Sequence, residues 1–568
     1  MREIATDVFI VGGGVGGVAA MLACARAGVR CLISEPTDWL GGQLTTQGVP
    51  PDENAWIETV GGTRTFQLLR SRVRESAIAE GARHREVEPF GAFNPGGGWV
   101  SRCCAEPTRW HAEIQRLIRE THAAASPGVE PTILLHHEPV AAEVSGDSIR
   151  SVTLRDTRSG ECVVVTARLF LDATETGDLL PLSRAEHAIG AEHAHVYGEL
   201  HGRTDFTPTQ RLDPLDQQAC SWCFALEHRP GEDHVVPKPA MYDWWRAYSP
   251  GLVAAGATGA GVPMTPPWTG PLFSWTVPSH NEAGRREFAM IPWPDEPVPD
   301  QLEMWRYRRI VDRAIWPTAL QSAHPDVTII NMVQMDYWQF PLLGVEPAER
   351  ERALRGAREQ SLCWLYWMQT EAPRHDSTSR GYPGLRLRGD ELGTADGFAK
   401  SVYIREPRRL VARVMMHEGH IGTHQRIRDG HAKSLPNWSA TPHGVCHPFA
   451  DSIAIGHYPI DLHPSCAGRN NVYVPCTPYR IPMGSLIPVR LTNLLSSGKA
   501  IGVSHIVNAT TRMHHSEWAI GEGAGTLAAH CVRTGSSPHA VHDSPARIAH
   551  VRDALMAAGA PVDWPWER

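Results

Sequence analysis

The sequence predicts an α/β protein with a Rossmann-like parallel sheet, and three observations carry that prediction. The short run Asp7-Val8-Phe9-Ile10-Val11 reads as a buried strand and passes directly into Gly12-Gly13-Gly14-Val15-Gly16-Gly17. Residues 18–27 are Ala-rich without a breaker, Gly28 stops them as a C-cap, and a second apolar strand over 29–34 closes on Glu35. A further apolar strand, 168–174, ends in small residues, as strands do where a doubly wound sheet meets its ligand crevice.

Each part of the first unit has a physical task. In Gly-x-Gly-x-x-Gly, Gly12 permits the tight turn, Gly14 lets backbone approach a pyrophosphate, and Gly17 lets helix and strand pack closely. The helix start, with Gly16 in its first turn, offers N–H groups and partial positive charge to phosphates. Glu35 is placed to accept both ribose hydroxyls, and its charge would repel a 2′-phosphate, which disfavours NADP. Trp39-Leu40-Gly41-Gly42-Gln43-Leu44-Thr45-Thr46 then supplies a second glycine loop. Many flavoproteins return such a loop along the pyrophosphate, and a nicotinamide dehydrogenase has no need of it, so FAD is the expected cofactor.

Composition narrows the class. The chain has 568 residues, 42% hydrophobic and 20% charged, enough for a sizeable core in several units. Net charge is −8 with no Lys/Arg-rich run, which points away from nucleic acid and anionic membranes. The N-terminus lacks the form of a signal peptide, and no run has the length of a membrane span. Twelve scattered cysteines suggest reduced thiols in the cytoplasm.

The rest of the chain follows in order. A helix is expected over 67–80 and an amphipathic one from Pro107, carrying Trp110, Ile114, Leu117 and Ile118. A strand at 132–136 precedes three runs, 140–144, 149–155 and 162–167, read as a β-meander. Residues 196–460 differ: Pro-rich loops and many tryptophans predict an aromatic core, two or three of them walling a pocket, with a helix over 348–371. After 460 the chain returns to the cofactor domain, with a short strand and turn at 493–498. A helix over 518–532 carries Gly521, Gly523 and Gly525, whose cost suggests close approach to something flat, the flavin edge. A terminal helix spans 546–558. Cys103-Cys104 are expected to be two half-buried thiols and Cys220 with Cys223 core thiols; His417-Glu418-Gly419-His420 is one residue short of a zinc-protease motif, His420 and His424 alone have the i, i+4 spacing, and no metal is expected.

These segments, with Asp172-Ala173-Thr174-Glu175-Thr176-Gly177-Asp178, Gly381-Tyr382-Pro383-Gly384-Leu385, Tyr403-Ile404-Arg405-Glu406-Pro407-Arg408-Arg409, Tyr458-Pro459-Ile460-Asp461-Leu462-His463, Gly498-Lys499-Ala500 and Glu517-Trp518-Ala519-Ile520-Gly521-Glu522, resemble the broad family of FAD-dependent oxidoreductases related to the glutathione reductase type-2 fold. The resemblance covers nearly the whole chain and implies a discontinuous FAD domain from both chain ends, 1–195 and 461–568, around a mixed α+β substrate domain at 196–460. It implies FAD contacts at Gly12, Gly14, Gly16, Gly17, Glu35, Gly41, Gly42, Gln43, Ala173, Thr174, Asp178 and Gly521. Many members have glycine where Glu175 stands, and Pro407 replaces a common serine.

No second strand–Gly-x-Gly–helix unit is visible; Gly256-Ala257-Thr258-Gly259-Ala260-Gly261 sits among loop residues. Electrons are therefore expected to come from a small organic substrate (amine, alcohol or activated C–C bond) and leave to O₂ or another acceptor, in a dehydrogenase or oxidase. The alternatives are a flavin monooxygenase and a flavin-fold protein without turnover. His505 and His514 are the leading proton acceptors and Arg512 the leading anion anchor. Tyr458, Asp461 and His463 form a second cluster, and Arg405, Glu406, Arg408 and Arg409 an ion-pair network.

Overall fold

The N-terminal apolar run becomes β1 (Arg2–Val11) in the computed structural model, which describes residues 2–84, 91–125, 131–205, 209–252, 265, 267–278, 285–289, 302–374, 379–431 and 446–567. The strand starts before the apolar run because its first residues, too, pair with a neighbouring strand. Helix α1 (Val15–Arg26) begins inside the glycine motif, and Gly28 at φ 69° turns the chain into β2 (Cys31–Glu35). Thr63 caps α2 (Arg64–Ala79) by accepting the Phe66 N–H, so that helix starts ahead of its apolar pattern. Helix α3 (Pro107–Ala125) buries Trp110, Ile114, Leu117 and Ile118, the stripe expected of it.

The main sheet runs β3 (Thr132–Leu135), β2, β1, β6 (Cys162–Asp172), all parallel, and continues antiparallel through β5 (Ser148–Asp156) to β4 (His137–Ser145). The third meander run and the buried strand after it are one strand, not two. No turn residue separates Ala167 from Arg168, so the chain stays extended and changes partner along its length.

In the middle of the chain, β7 (Phe224–His228), β8 (Arg309–Val311), β9 (Val327–Ile330) and β10 (Leu385–Leu387) form an antiparallel sheet in the order β8-β9-β7-β10. Helix α4 (Pro347–Thr370) opens with a proline in its first turn and a Glu346–Glu349 capping box. Its Trp364 and Trp367 stack at 4.8 Å in a core shared with Phe224, Trp245, Trp268, Trp305 and Trp338. The aromatic-core expectation fits these residues. The Gly-rich stretch 256–261, the Pro-rich stretch 292–299 and residues 263, 264 and 266 of the Pro-rich stretch 263–267 lie outside the described residues.

The chain then rejoins the first sheet. β11 (Leu494–Ser496) lies parallel to β6 at Phe170–Asp172. Ser504 caps α5 (His505–Thr511), and α6 (His514–Thr534) follows at once. The glycines of α6 meet helix and side chain rather than a planar ring. A Cβ on Gly521 would strike the backbone of Gly16, one on Gly525 would lie 2.5 Å from Ala20 O, and one on Gly523 would strike Ile453. Small residues on both helices let α1 and α6 approach closely, so Gly521 shapes the helix pair and not the cleft. The terminal helix, Pro545–Ala558, ends on Gly559 at φ 80°. Among the described residues no helix is long and apolar enough to cross a membrane.

Candidate functional site

At the C-terminal ends of β1, β2 and β6 lies a cleft of about 460 Å³. Gly12, Gly14, Glu35, Ala173, Thr174 and Asp178 line it, as do Thr46, Gln47, Trp222, Lys400 and Ser401. Gly12 has φ 99°, and a Cβ there would lie 2.5 Å from the Ala173 carbonyl, so the turn admits no side chain. Gly14 is the N-cap of α1 and presents bare backbone. Gly17 packs on Gly12, and Gly16 packs on Ser497, so these two build the turn from behind. The second glycine loop folds back onto the first: the Gly41 N–H donates to Gly13 O at 2.8 Å, and Gly42 sits against Gly14.

Glu35 is buried at the end of β2. It accepts from Gly13 N at 3.1 Å, Thr37 N at 3.0 Å and Thr37 Oγ1 at 2.8 Å. Burial outweighs those bonds and pushes its carboxyl up to about 7 from 4.5. A raised carboxyl binds its proton more tightly when folded, so its contribution to stability is complete below pH 4.5 and is lost as pH rises through about 7. We predict that thermal midpoints of the flavin-free protein fall over that window, and that Glu35→Gln flattens the fall.

On the far side, Asp172 receives Thr174 N, Thr174 Oγ1 and Leu179 N, which shapes the β6 end. Asp178 is held by Arg408 at 3.0 Å. Arg409 pairs with Glu192 and Glu406, and Arg405 with Asp336, so the Arg-rich segment is an ion-pair network.

Deeper in, Gln43 Nε2 donates to Arg512 O at 3.0 Å and to Glu517, whose carboxyl burial pushes up to about 7. Arg512 donates to Tyr403 Oη at 2.8 Å and to Asp461 O and Oδ2 at 3.1 and 3.4 Å. Tyr403 stands between the cleft-lining Val402 and Ile404. Asp461 Oδ2 lies 3.4 Å from His463 Nε2, and His463 Nδ1 lies 2.6 Å from Asp336. Ser221 and Arg405 hold Asp336 in turn. Burial pushes the Asp461 carboxyl up, but His463 and Arg512 outweigh it and hold the group below the usual range.

The structure puts the two leading histidines to other uses. His505 has Glu406 at 2.9 Å on Nδ1 and the Arg469 guanidinium at 2.9 Å on Nε2, so its acceptor lone pair is taken. His514 Nδ1 accepts the Asp52 N–H at 3.1 Å and its Nε2 faces Val49 O at 3.2 Å. Burial drives the His514 imidazole well below its ordinary value, and the ring ties the 49–52 loop to the start of α6. Of the second cluster, Asp461 and His463 join Arg512, while Tyr458 bonds Asp52. Asp336 was missed because no motif marks it, and Tyr403 because it opened a recognised motif without a chemical signal. Gln47, Lys499 and Glu517 lay in or beside recognised motifs without a chemical signal. Of the tryptophans, Trp222 lines the cleft.

The parallel sheet, the glycine turns and the buried acid at the end of β2 are those of a dinucleotide-binding fold. The FAD-dependent oxidoreductase family model matches residues 7–555, and the chain belongs to that family; it is an FAD-dependent enzyme. No curated relative matches it. Similar solved structures include the myxobacterial chondrochloren halogenase (14% identity, 41% of this chain and 45% of that one, TM-score 0.23). The flavin-dependent monooxygenase PieE matches at 16% identity over 40% of this chain and 36% of its own, TM-score 0.22. L-Proline dehydrogenase from P. horikoshii matches at 13% over 34% and 25%, TM-score 0.17. The chain thus spans less than half the length of each of these three structures. The cleft has the donor set such a cofactor needs. Its glycine turns present bare backbone beside the Glu175 side chain, and both amide atoms of buried Gln47 have no partner among the described residues.

Proposed function

We propose that the protein is a dehydrogenase or oxidase that takes a hydride from an amine, alcohol or activated C–C bond of a small molecule and passes the electrons to O₂ or another acceptor. The observation that carries this is the hydrogen-bonded chain Asp336–His463–Asp461–Arg512–Tyr403 beside the cofactor cleft. His463, oriented by Asp336 on Nδ1, shares a proton with Asp461 on Nε2, and this His463–Asp461 pair is the acid–base unit; Arg512 stabilises negative charge that develops at the reacting end. Gly12, Gly14, Glu35, Ala173, Thr174 and Gln47 would hold FAD, which when bound supplies the hydride acceptor. Residues 1–195 and 461–568 would form the cofactor domain and 196–460 the substrate domain.

The test is an absorption spectrum followed anaerobically with pooled amines, alcohols and hydroxy acids. Flavin bands are expected to bleach with one pool, and recovery in air then separates oxidase from dehydrogenase. Bleaching with NAD(P)H alone would replace this proposal with a monooxygenase.

A further inference from the structure

The phosphate cradle contains an acid. Glu175 directs its carboxylate between the two glycine loops: Oε1 lies 2.8 Å from where a Cβ on Gly14 would stand, and it also abuts Gly42. That oxygen is buried and has no hydrogen-bond partner among the described residues. The other oxygen pairs with Lys499, a buried cation whose Nζ also donates to Ile404 O at 2.8 Å. Glu517 stands close behind, with Oε1 3.6 Å from the same Gly14 position and 3.4 Å from the corresponding point on Gly498. Glu35 lies across the cleft, and Asp178 is already neutralised by Arg408.

Two features attract anions here, the α1 N-terminus and Lys499, and Glu175 already stands beside the first and pairs with the second. A pyrophosphate entering the same cradle meets a like charge at near-contact distance and competes for one lysine. We propose that Glu175 sets the affinity of the cofactor site: it is a built-in anion that must turn out of the cradle and give up Lys499 before a dinucleotide pyrophosphate can bind. This rests on the assignment of the cleft to FAD.

Glu175→Gln keeps the shape and removes the charge. Dissociation constants are measured by titration calorimetry on flavin-free wild type and variant, with FAD and ADP as pyrophosphate ligands and riboflavin and adenosine as ligands without one. FAD and ADP are expected to bind the variant about tenfold more tightly, with riboflavin and adenosine unchanged. Glu175→Ala repeats the test should the glutamine protein fold poorly. Unchanged or weaker FAD and ADP binding in the folded variant would overturn the proposal and make Glu175 a structural partner of Lys499. Equal tightening of all four ligands would also overturn it, since packing rather than charge would be responsible. Should FAD bind neither folded protein, the cleft assignment itself falls and the proposal falls with it.

Discussion

Replacing His463 with glutamine is expected to slow substrate-driven bleaching of the bound flavin by roughly 10²–10⁴-fold, the usual worth of a positioned acid–base group. The ring sits between Asp336 at 2.6 Å and Asp461 at 3.4 Å, and its Nε2 side leads through Asp461 to Arg512. Glutamine can keep one of those hydrogen bonds but cannot take up or release a proton. His463 does not line the cofactor cleft, so flavin content is expected to stay at the wild-type level. Stopped-flow reduction at several pH values gives the measurement. A variant that bleaches within about threefold of wild type, with the same pH profile, would make His463 a structural residue and remove the acid–base assignment.

Replacing Gly12 with alanine is expected to yield a protein that no longer retains flavin through gel filtration. Two costs coincide at this position. The backbone is at φ 99°, where a side chain is strained, and the new Cβ would stand 2.5 Å from the Ala173 carbonyl and Thr174 N, which are backbone atoms without freedom to rotate away. Together they come to on the order of 2–5 kcal/mol, taken up by shifting the β1 and β6 ends that line the cleft. The control is Gly28→Ala: it has φ 69° but nothing within 4 Å of the new Cβ, so it meets strain without collision. Flavin absorbance per protein and the thermal midpoint separate the two variants. Full flavin retention by the Gly12 variant would show that the cradle is not where the cofactor binds.

Residues near one another in sequence announced their structure well. The strand–glycine–helix–strand–acid unit obeys local rules: a positive φ needs glycine, a buried parallel strand needs an apolar run, and a helix ends where Gly28 permits. The amphipathic stripe of α3 and the proline opening α4 are legible for the same reason. Reading failed where a residue type fits two environments. Three glycines on α6 are consistent with a flat ligand or close packing, and the partners, α1 for Gly521 and Gly525 and Ile453 for Gly523, lie far away in sequence. His505 and His514 likewise stood in a suitable segment, but hydrogen bonds to Glu406, Arg469, Asp52 and Val49 took up their nitrogens.

By itself, then, the sequence determined the βαβ unit, the dinucleotide class of ligand and the oxidoreductase family, because each rests on backbone requirements met within a short stretch. Only the tertiary structure decided which side chains meet in the hydrogen-bonded chain beside the cleft. Asp461 and His463 are near neighbours in sequence, but Asp336, Tyr403 and Arg512 come from separate segments that no spacing links to them, and a hydrogen-bonded chain among the five depends on distances in space rather than along the chain. The same holds for Glu175. Its departure from the family pattern is visible in the sequence, but the placing of its carboxylate in the phosphate cradle beside Lys499 follows from how β6, α1 and the 498–500 turn pack together.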